Sequence, residues 1–243
     1  MFINGNRFDN ELRGTDEADQ IYGRAGNDAL YGEGGKDWLY GGEGDDALRG
    51  GNGNDRLFGG DGRDLLEGGD GFDELHGGAG DDTISAGVHG GRLYGDRGED
   101  YLILTKGRAE GGWGNDLIRT GDLTLFGFAS GNVDIVTGRG SDTVVFRGTL
   151  GLAHTTANVL DFGQYGADRL ILTASSPDGI VYADGKQLAA AFDRNADGML
   201  DARDTPLGSV VSVDEAANTI TLNVAGDRLT LHGLTALPTD WIS

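Results

Sequence analysis

Aspartate recurs along the first hundred residues at a fixed spacing of nine. The aspartates of this register are Asp19, Asp28, Asp37, Asp46, Asp55, Asp64, Asp73, Asp82 and Asp100. An aliphatic residue stands two positions after each of them, from Ile21 to Leu102. Carboxylates are ligands for hard cations, whereas an aliphatic side chain favours burial. The spacing therefore indicates cation binding that is organised by an internal repeat.

The repeat unit is GGxGxDxUx, where U is aliphatic. Five tandem copies match every defined position: GGEGDDALR, GGNGNDRLF, GGDGRDLLE, GGDGFDELH and GGAGDDTIS. The register reaches back to Leu12, with Asn10 in the aspartate position, and runs through Leu93, where Gly91 replaces the acid. After Ile103 the register breaks. GGWGNDLIR (111–119) is a further unit, out of phase, that adds Asp116, and TGRGSDTVV (137–145) is a weaker last copy.

This pattern resembles the calcium-binding nonapeptide of the RTX (repeats-in-toxin, hemolysin-type) proteins. The resemblance implies that the ten repeat aspartates bind several Ca²⁺ ions. It also implies an all-β fold built on a parallel β-roll, with two sheets of short strands. Two repeats would make one coil of 18 residues, in the order strand, turn, strand, turn.

Physical reasoning supports the same fold. In a three-residue strand xUx only U points inward, and GGxGxD is left to form the turn, where glycine permits positive φ. One aliphatic side chain per strand gives a thin core that cannot offset the entropy of ordering so much glycine. Aspartate also suits a solvated turn, but carboxylates stacked roughly 4.8 Å apart would repel one another. Calcium, which takes six to eight oxygen ligands, is therefore expected to stabilise the stack.

Alternate repeats should turn on opposite edges of the roll. One edge would carry Asp19, Asp37, Asp55 and Asp73, and the other Asp28, Asp46, Asp64, Asp82 and Asp100. Because Gly91 falls on the first edge, we predict that its calcium row ends or weakens there. The row on the other edge should continue to Asp100.

The ninth repeat position forms an aromatic column on the outside of one sheet. Its members, spaced 18 residues apart, are Tyr22, Tyr40, Phe58, His76 and Tyr94. Three roles stay open: stacking that stiffens the sheet, docking of the C-terminal region or another subunit, and a carbohydrate platform.

The composition shifts near Val144, which predicts two regions. Residues 5–145 would be the calcium-binding β-roll. Residues 146–243 read as antiparallel strands that cap the roll, with a short helix at KQLAAAF (186–192). VLDFGQYGADRLIL (159–172) resembles the segment that commonly follows RTX repeats. The C-terminus resembles the uncleaved type I secretion signal of the same proteins, which implies the type I secretion machinery as a partner.

The C-terminal region also contains an EF-hand-like loop, DRNADGMLDARD (193–204). Its oxygen-ligand positions are filled by Asp193, Asn195, Asp197, Met199 (through its carbonyl), Asp201 and Asp204. The loop resembles dockerin-type calcium loops, which also end in aspartate. A solvated acidic loop is the alternative.

Composition excludes several classes of function. The chain has 40 acidic against 19 basic residues and a net charge of −21, which argues against nucleic acid as a partner. There is no cysteine, and no cleavable signal peptide or apolar span is visible. Common catalytic motifs are missing, so we predict no catalytic residues and no enzyme activity.

Three functions remain. The first is a secreted, extracellular module that is disordered without calcium and folds on binding it, which supports type I export. The second is an extracellular polysaccharide-binding accessory module that uses the aromatic face. The third is the non-catalytic C-terminal part of a larger secreted enzyme or toxin, although the short flank of four residues before the first repeat argues against a catalytic domain in this chain.

Overall fold

The computed structural model describes residues 1–120, 132–149, 156–161, 168–175, 199–201, 211–214, 219–224, 227–232 and 236–238. Short strands dominate these residues. The first eighteen are β1 (Phe2–Asn4), β2 (Glu11–Arg13), β3 (Gln20–Ala25), β4 (Ala29–Gly34), β5 (Trp38–Glu43), β6 (Ala47–Asn52), β7 (Arg56–Asp61), β8 (Leu65–Asp70), β9 (Asp73–Ala79), β10 (Thr83–Ser85), β11 (Gly91–Arg97), β12 (Tyr101–Leu104), β13 (Gly107–Trp113), β14 (Leu117–Thr120), β15 (Asn132–Arg139), β16 (Thr143–Thr149), β17 (Thr156–Val159) and β18 (Arg169–Ser175). The last five are β19 (Met199–Asp201), β20 (Val211–Asp214), β21 (Thr219–Val224), β22 (Asp227–His232) and β23 (Ala236–Pro238).

Successive strands alternate between two parallel sheets. The odd-numbered strands β1 to β17 lie side by side in sheet A, and the even-numbered strands β2 to β18 lie side by side in sheet B. In the repeat region each strand residue lies beside the residue 18 positions further along the chain. Ile21 lies beside Leu39, and Leu39 lies beside Leu57. The predicted parallel β-roll is therefore confirmed.

The core is a double column of the predicted aliphatic residues. In β5 the burial pattern alternates, with Leu39 fully buried between the half-buried Trp38 and Tyr40. The column continues past the register break with Ala109, Ile118, Ile135, Val144, Val159 and Leu170. Each buried leucine contributes about 1.5–3 kcal/mol. This thin core leaves the stability of the roll dependent on its turns.

The register break reflects a change in coil length. Asp100 and Asp116 occupy equivalent positions 16 residues apart, and Asp116 and Asp142 are separated by 26 residues. Seven residues separate the core residues Leu102 and Ala109, against nine between Leu93 and Leu102. The shortened segment is therefore the turn between β12 and β13, and the roll continues beyond it without loss of strand pairing.

Antiparallel strands follow the roll, as predicted. β22 pairs in parallel with β17, and β21 and β20 then add antiparallel strands to the same edge of sheet A. β19 and β23 form a separate antiparallel pair. The predicted helix at 186–192 lies outside the described residues, and the division into domains at residue 145 stays a prediction. Among the described residues there is no helix long and apolar enough to cross a membrane.

Candidate metal site

The aspartates of one edge form a hydrogen-bonded row that we name the long row. The backbone N–H of Asp28 donates to Oδ1 of Asp46 at 2.7 Å, and that of Asp46 donates to Oδ1 of Asp64 at 2.8 Å. The same bond links each member to the next in the order Asp28, Asp46, Asp64, Asp82, Asp100, Asp116, Asp142 and Asp168. All are buried. The two predicted edges therefore exist, and one carboxylate per coil lines this one.

The opposite edge carries a shorter row, named the short row, of Asp19, Asp37, Asp55 and Asp73. It ends at Asp73, because Gly91 lies beside Asp73 in the next coil. The coil after that has the shortened turn, in which the Lys106 carbonyl accepts the Gly91 N–H at 2.9 Å. The described carboxylate row thus stops where the sequence predicts. The end of the calcium row at this point stays a prediction.

One carboxylate oxygen of nearly every row member lacks a hydrogen-bond partner among the described atoms. Oδ1 is used by the row, whereas Oδ2 is buried and unpaired in Asp28, Asp37, Asp46, Asp55, Asp64, Asp73, Asp82, Asp100, Asp116 and Asp142. A buried, unpaired carboxylate oxygen is costly, because its hydration is lost without compensation. This repeated deficit fits a cation ligand set.

The first glycine of each turn leaves open the space that these oxygens face. A Cβ at Gly59 would overlap Oδ2 of Asp64 and would come within 2.6 Å of the Gly77 carbonyl oxygen. The carboxylate of one coil and a carbonyl of the next therefore converge on a space that only glycine leaves free. Carboxylate and carbonyl oxygens are the donors that calcium prefers.

Backbone oxygens are needed to complete any such site. Within the described residues, no three acidic or histidine side chains converge on one point. Calcium takes six to eight oxygens, so a site between two coils would have to combine one or two carboxylates with several turn carbonyls. The glycine-lined turns have the right chemistry for this, and the side chains alone do not.

Burial raises the pKa of the row carboxyls. It brings the pKa of Asp64 to about 6 and that of Asp46 to about 7, although each accepts a backbone hydrogen bond that lowers it. The pKa of Asp73 and Asp82 likewise rises to about 7 through burial. Asp19 is the exception: burial raises its pKa, but the N-terminal ammonium and Thr15 outweigh this and lower it. Without a cation, these carboxyls take up protons as the pH falls through 7 to 6, well above the usual range of aspartate.

These pKa values predict how pH acts on the metal-free roll. A carboxyl whose pKa is raised on folding stabilises the fold below its unfolded pKa of about 3.9 and loses that contribution as pH rises through 6 to 7. In metal-depleted buffer, lowering the pH from about 7.5 to 5.5 should therefore increase β structure in circular dichroism. The calcium midpoint of folding should not rise over the same range, because the carboxyls are ionised above about pH 5 both in the unfolded chain and in the calcium-bound fold. A loss of β structure on acidification in metal-depleted buffer would contradict this.

The EF-hand-like loop is described only in part. Met199 and Asp201 lie in β19, whose middle residue Leu200 pairs with Leu237. Asp193, Asn195, Asp197 and Asp204 lie outside the described residues. Calcium binding by this loop stays a prediction.

Sequence analysis missed two members of the long row. Asp142 belongs to the weak unit TGRGSDTVV but was not counted as a site residue, and Asp168 was not recognised as a repeat aspartate. The signal for Asp168 was present, since GQYGADRLI (163–171) keeps the second half of the repeat, GxDxU. The coil between Asp142 and Asp168 spans 26 residues, so a search at fixed spacing could not find it.

The aromatic column exists on the outer face of sheet A. Tyr22 and Tyr40 stack with ring centroids 4.7 Å apart and planes 5° apart, and Tyr40 stacks on Phe58 at 4.9 Å. His76 continues the stack, 5.1 Å from Phe58 and 4.4 Å from Tyr94. Because each ring face covers its neighbour, the column presents mainly ring edges to solvent. This geometry favours the stiffening role.

Together, the two parallel sheets and the carboxylate rows define the chain as a metal-binding β-roll. Residues 4–39, 31–66 and 58–88 match the family model of the RTX calcium-binding nonapeptide repeat, which holds 4 copies. The chain therefore carries RTX calcium-binding nonapeptide repeats. Such repeats bind calcium ions, several to an array, and are characteristic of type I secreted extracellular proteins.

Whole-chain comparisons add little to this. No curated protein matches the chain. Among solved structures, an extracellular lipase of Serratia marcescens matches at 16% identity and a TM-score of 0.28, over 99% of this chain and 39% of the lipase. The chain thus spans well under half of that lipase. The repeats are non-catalytic by themselves.

Proposed function

We propose that this chain is an extracellular module that is largely disordered in the low calcium of the cytosol and folds when it binds calcium outside the cell. The observation that carries the proposal is the pair of buried carboxylate rows with their unpaired Oδ2 oxygens. In the metal-free roll these oxygens lose hydration and repel one another, so the folded state is disfavoured. Calcium binds only the assembled turns, and its binding free energy then becomes folding free energy.

The shape of the roll implies that folding is cooperative. Each row member donates a backbone N–H to the carboxylate of the next coil, so an ion held between two coils also orders a third. Repeat proteins propagate order through such nearest-neighbour contacts. An unfolded chain also suits passage through the type I secretion machinery, which we propose as the route of export.

Circular dichroism during a calcium titration tests this proposal. In excess EGTA the spectrum should be that of a disordered chain, and added calcium should restore β structure in a sigmoidal transition. Magnesium at equal concentration is the control, because it requires octahedral geometry and keeps its water, so it should not replace calcium. A β spectrum that persists in EGTA would rule the proposal out.

A polysaccharide-binding accessory role is the second candidate, favoured by a groove beside the aromatic column. The groove has a volume of about 520 Å³, and its lining includes the aromatic residues Tyr94 and Trp113, the glycines Gly60 and Gly78, and the acidic residues Asp61, Asp96 and Glu110. Trp113 is 58% exposed, and Arg139 lies over its ring at 4.8 Å. Both the size and the aromatic lining are typical of ligand sites.

Replacing Tyr22, Tyr40 and Tyr94 by serine separates stiffening from polysaccharide binding. Each lost ring pair should cost about 0.5–1.5 kcal/mol, so the thermal midpoint in saturating calcium should fall. The calcium midpoint of folding should change little, because no row carboxylate is altered. Glycan binding, measured on arrays with and without calcium, should fall only if the aromatic face is a platform. Unchanged glycan binding would remove this candidate.

A further inference from the structure

The two edges of the roll differ in the residue that precedes each aspartate. On the long row this position is mostly acidic or amide: Asn27, Asp45, Arg63, Asp81 and Glu99. On the short row it is Ala18, Lys36, Asn54 and Phe72, with no acid. The short-row edge is therefore the less acidic side of a chain whose net charge is −21.

A small pocket opens on this edge where the short row ends. Its volume is about 150 Å³, and three basic side chains line it: Lys36, Arg56 and Arg92. Its acidic lining residues are Asp55, Asp73 and Glu74. The pocket thus spans four successive coils and combines basic side chains with the last two carboxylates of the short row.

Two of the three basic groups are available to a ligand. Arg56 is engaged, because its Nε lies 3.2 Å from Glu74 and its guanidinium lies 4.7 Å over the ring of Trp38. Lys36 and Arg92 are exposed, and no described residue forms an ion pair or hydrogen bond with either side chain. A lysine and an arginine that flank one cavity without protein partners are suited to a negatively charged ligand.

Calcium would change the charge of this pocket. With its acids ionised, the pocket holds three bases and three acids and is neutral when no cation is bound. Asp55 and Asp73 are the two acids with unpaired Oδ2 atoms, so a calcium ion held there would leave an excess of positive charge. We infer that this pocket binds an oxyanion group of an extracellular ligand, a carboxylate or a sulfate, once calcium occupies the short row. This inference rests on the proposed calcium binding.

The lining also indicates what carries the oxyanion. A guanidinium binds a carboxylate or sulfate through two parallel hydrogen bonds, and lysine adds a point charge. Phe72 lines the same pocket and is 43% exposed, which provides an apolar wall. The volume holds one charged group with part of a ring rather than a whole oligomer. An acidic sugar unit, whose carboxylate projects from a ring, fits this chemistry better than a free inorganic ion.

Calorimetry in saturating calcium tests the pocket with three probes. Galacturonic acid carries the carboxylate, galactose is the matched neutral sugar, and inorganic sulfate is an oxyanion without a ring. Galacturonic acid should bind, sulfate should bind more weakly, and galactose should not bind. Lys36→Gln and Arg92→Gln should each lower the affinity for galacturonic acid about tenfold, which is the effect of losing one charge-assisted hydrogen bond. Binding of sulfate but not of galacturonic acid would overturn the inference that the oxyanion is carried by a sugar ring.

Arg63→Gln is the control for general charge. Arg63 occupies on the long row the repeat position that Lys36 occupies on the short row, and it lies 3.8 Å from Asp45. Its replacement by glutamine changes the net charge by the same amount without altering the pocket. Its affinity for galacturonic acid should equal that of the unmodified chain. An equal loss in Arg63→Gln and Arg92→Gln, or full binding by the Lys36→Gln and Arg92→Gln double variant, would overturn the inference.

Linkage between the two ligands provides a second readout. If calcium promotes oxyanion binding, then galacturonic acid must lower the calcium midpoint of folding, and the double variant must lose this effect. Ionic strength is matched with chloride. A chain that folds with calcium but gives no heat with any probe would overturn the inference and leave the proposed function intact. If calcium leaves the circular dichroism spectrum of the chain unchanged, both this inference and the proposed function are overturned.

Discussion

Gly53→Ala is expected to prevent the central coils from stacking, even in saturating calcium. Gly53 has a φ of +142°, and a Cβ at this position would overlap the carbonyl oxygen of Gly35 in the preceding coil. Backbone strain and overpacking each cost about 1–3 kcal/mol, so the free energy of unfolding should fall by about 3 kcal/mol or more. Circular dichroism at saturating calcium should show reduced β structure, and the calcium midpoint should rise.

Gly34→Ala is the matched control. Gly34 lies in the preceding coil, but its φ is outside the left-handed region, and the nearest atom to a Cβ there is Cα of Asp16 at 3.4 Å. The free energy of unfolding should therefore change by less than about 0.5 kcal/mol. Similar behaviour of the two variants would contradict the view that the turn glycines are required by the contact between coils.

Asp64→Asn is expected to raise the calcium requirement strongly without unfolding the calcium-bound chain. Asp64 lies in the middle of the long row, where its Oδ1 accepts the N–H of Asp46 at 2.8 Å. Asparagine keeps this acceptor but replaces the unpaired, charged Oδ2 by a neutral amide. Because charged ligands set the affinity of calcium sites, we expect the calcium midpoint of folding to rise by about tenfold or more. The transition should also become less steep, since a site inside the stack is lost.

Asp61→Asn tests whether the effect of Asp64→Asn comes from the place of Asp64 in the long row or only from the loss of one negative charge. Asp61 is exposed in β7, three residues before Asp64, and belongs to neither row. Its substitution removes the same charge from the same coil, so the calcium midpoint should shift by less than about twofold. Equal shifts in Asp61→Asn and Asp64→Asn, measured by titration at one ionic strength, would mean that the rows act only through general repulsion.

Much of the site was predictable because the repeat is regular. A nine-residue period with inward U positions placed Leu39 and Leu57 in one column and Asp46 and Asp64 on one edge, and the structure confirms this arrangement of strands. The stack of Tyr40 on Phe58 follows from the same spacing of 18 residues. Where each coil repeats the last, one contact pattern is enough to derive the others.

Prediction failed where the spacing changed. Asp142 and Asp168 follow coils of 26 residues, and no period in the sequence reveals that their carboxylates continue the long row. Strand pairing restores the register there, because β14, β16 and β18 align by their buried residues and not by chain length. Which aspartates are adjacent in the long row is therefore set by tertiary strand pairing and not by spacing along the chain.

The sequence by itself determined the period, the inward aliphatic column, the two aspartate edges and the place where one edge loses its acid. These follow from local alternation along the chain and from counting. Only the tertiary structure decided that the Oδ2 of Asp64 lies buried and unpaired beside the Gly77 carbonyl, and that Lys36 and Arg92 line one pocket. The physical reason is that residues 18 or more positions apart meet only when the coils stack, and burial and charge then act between coils rather than along the chain.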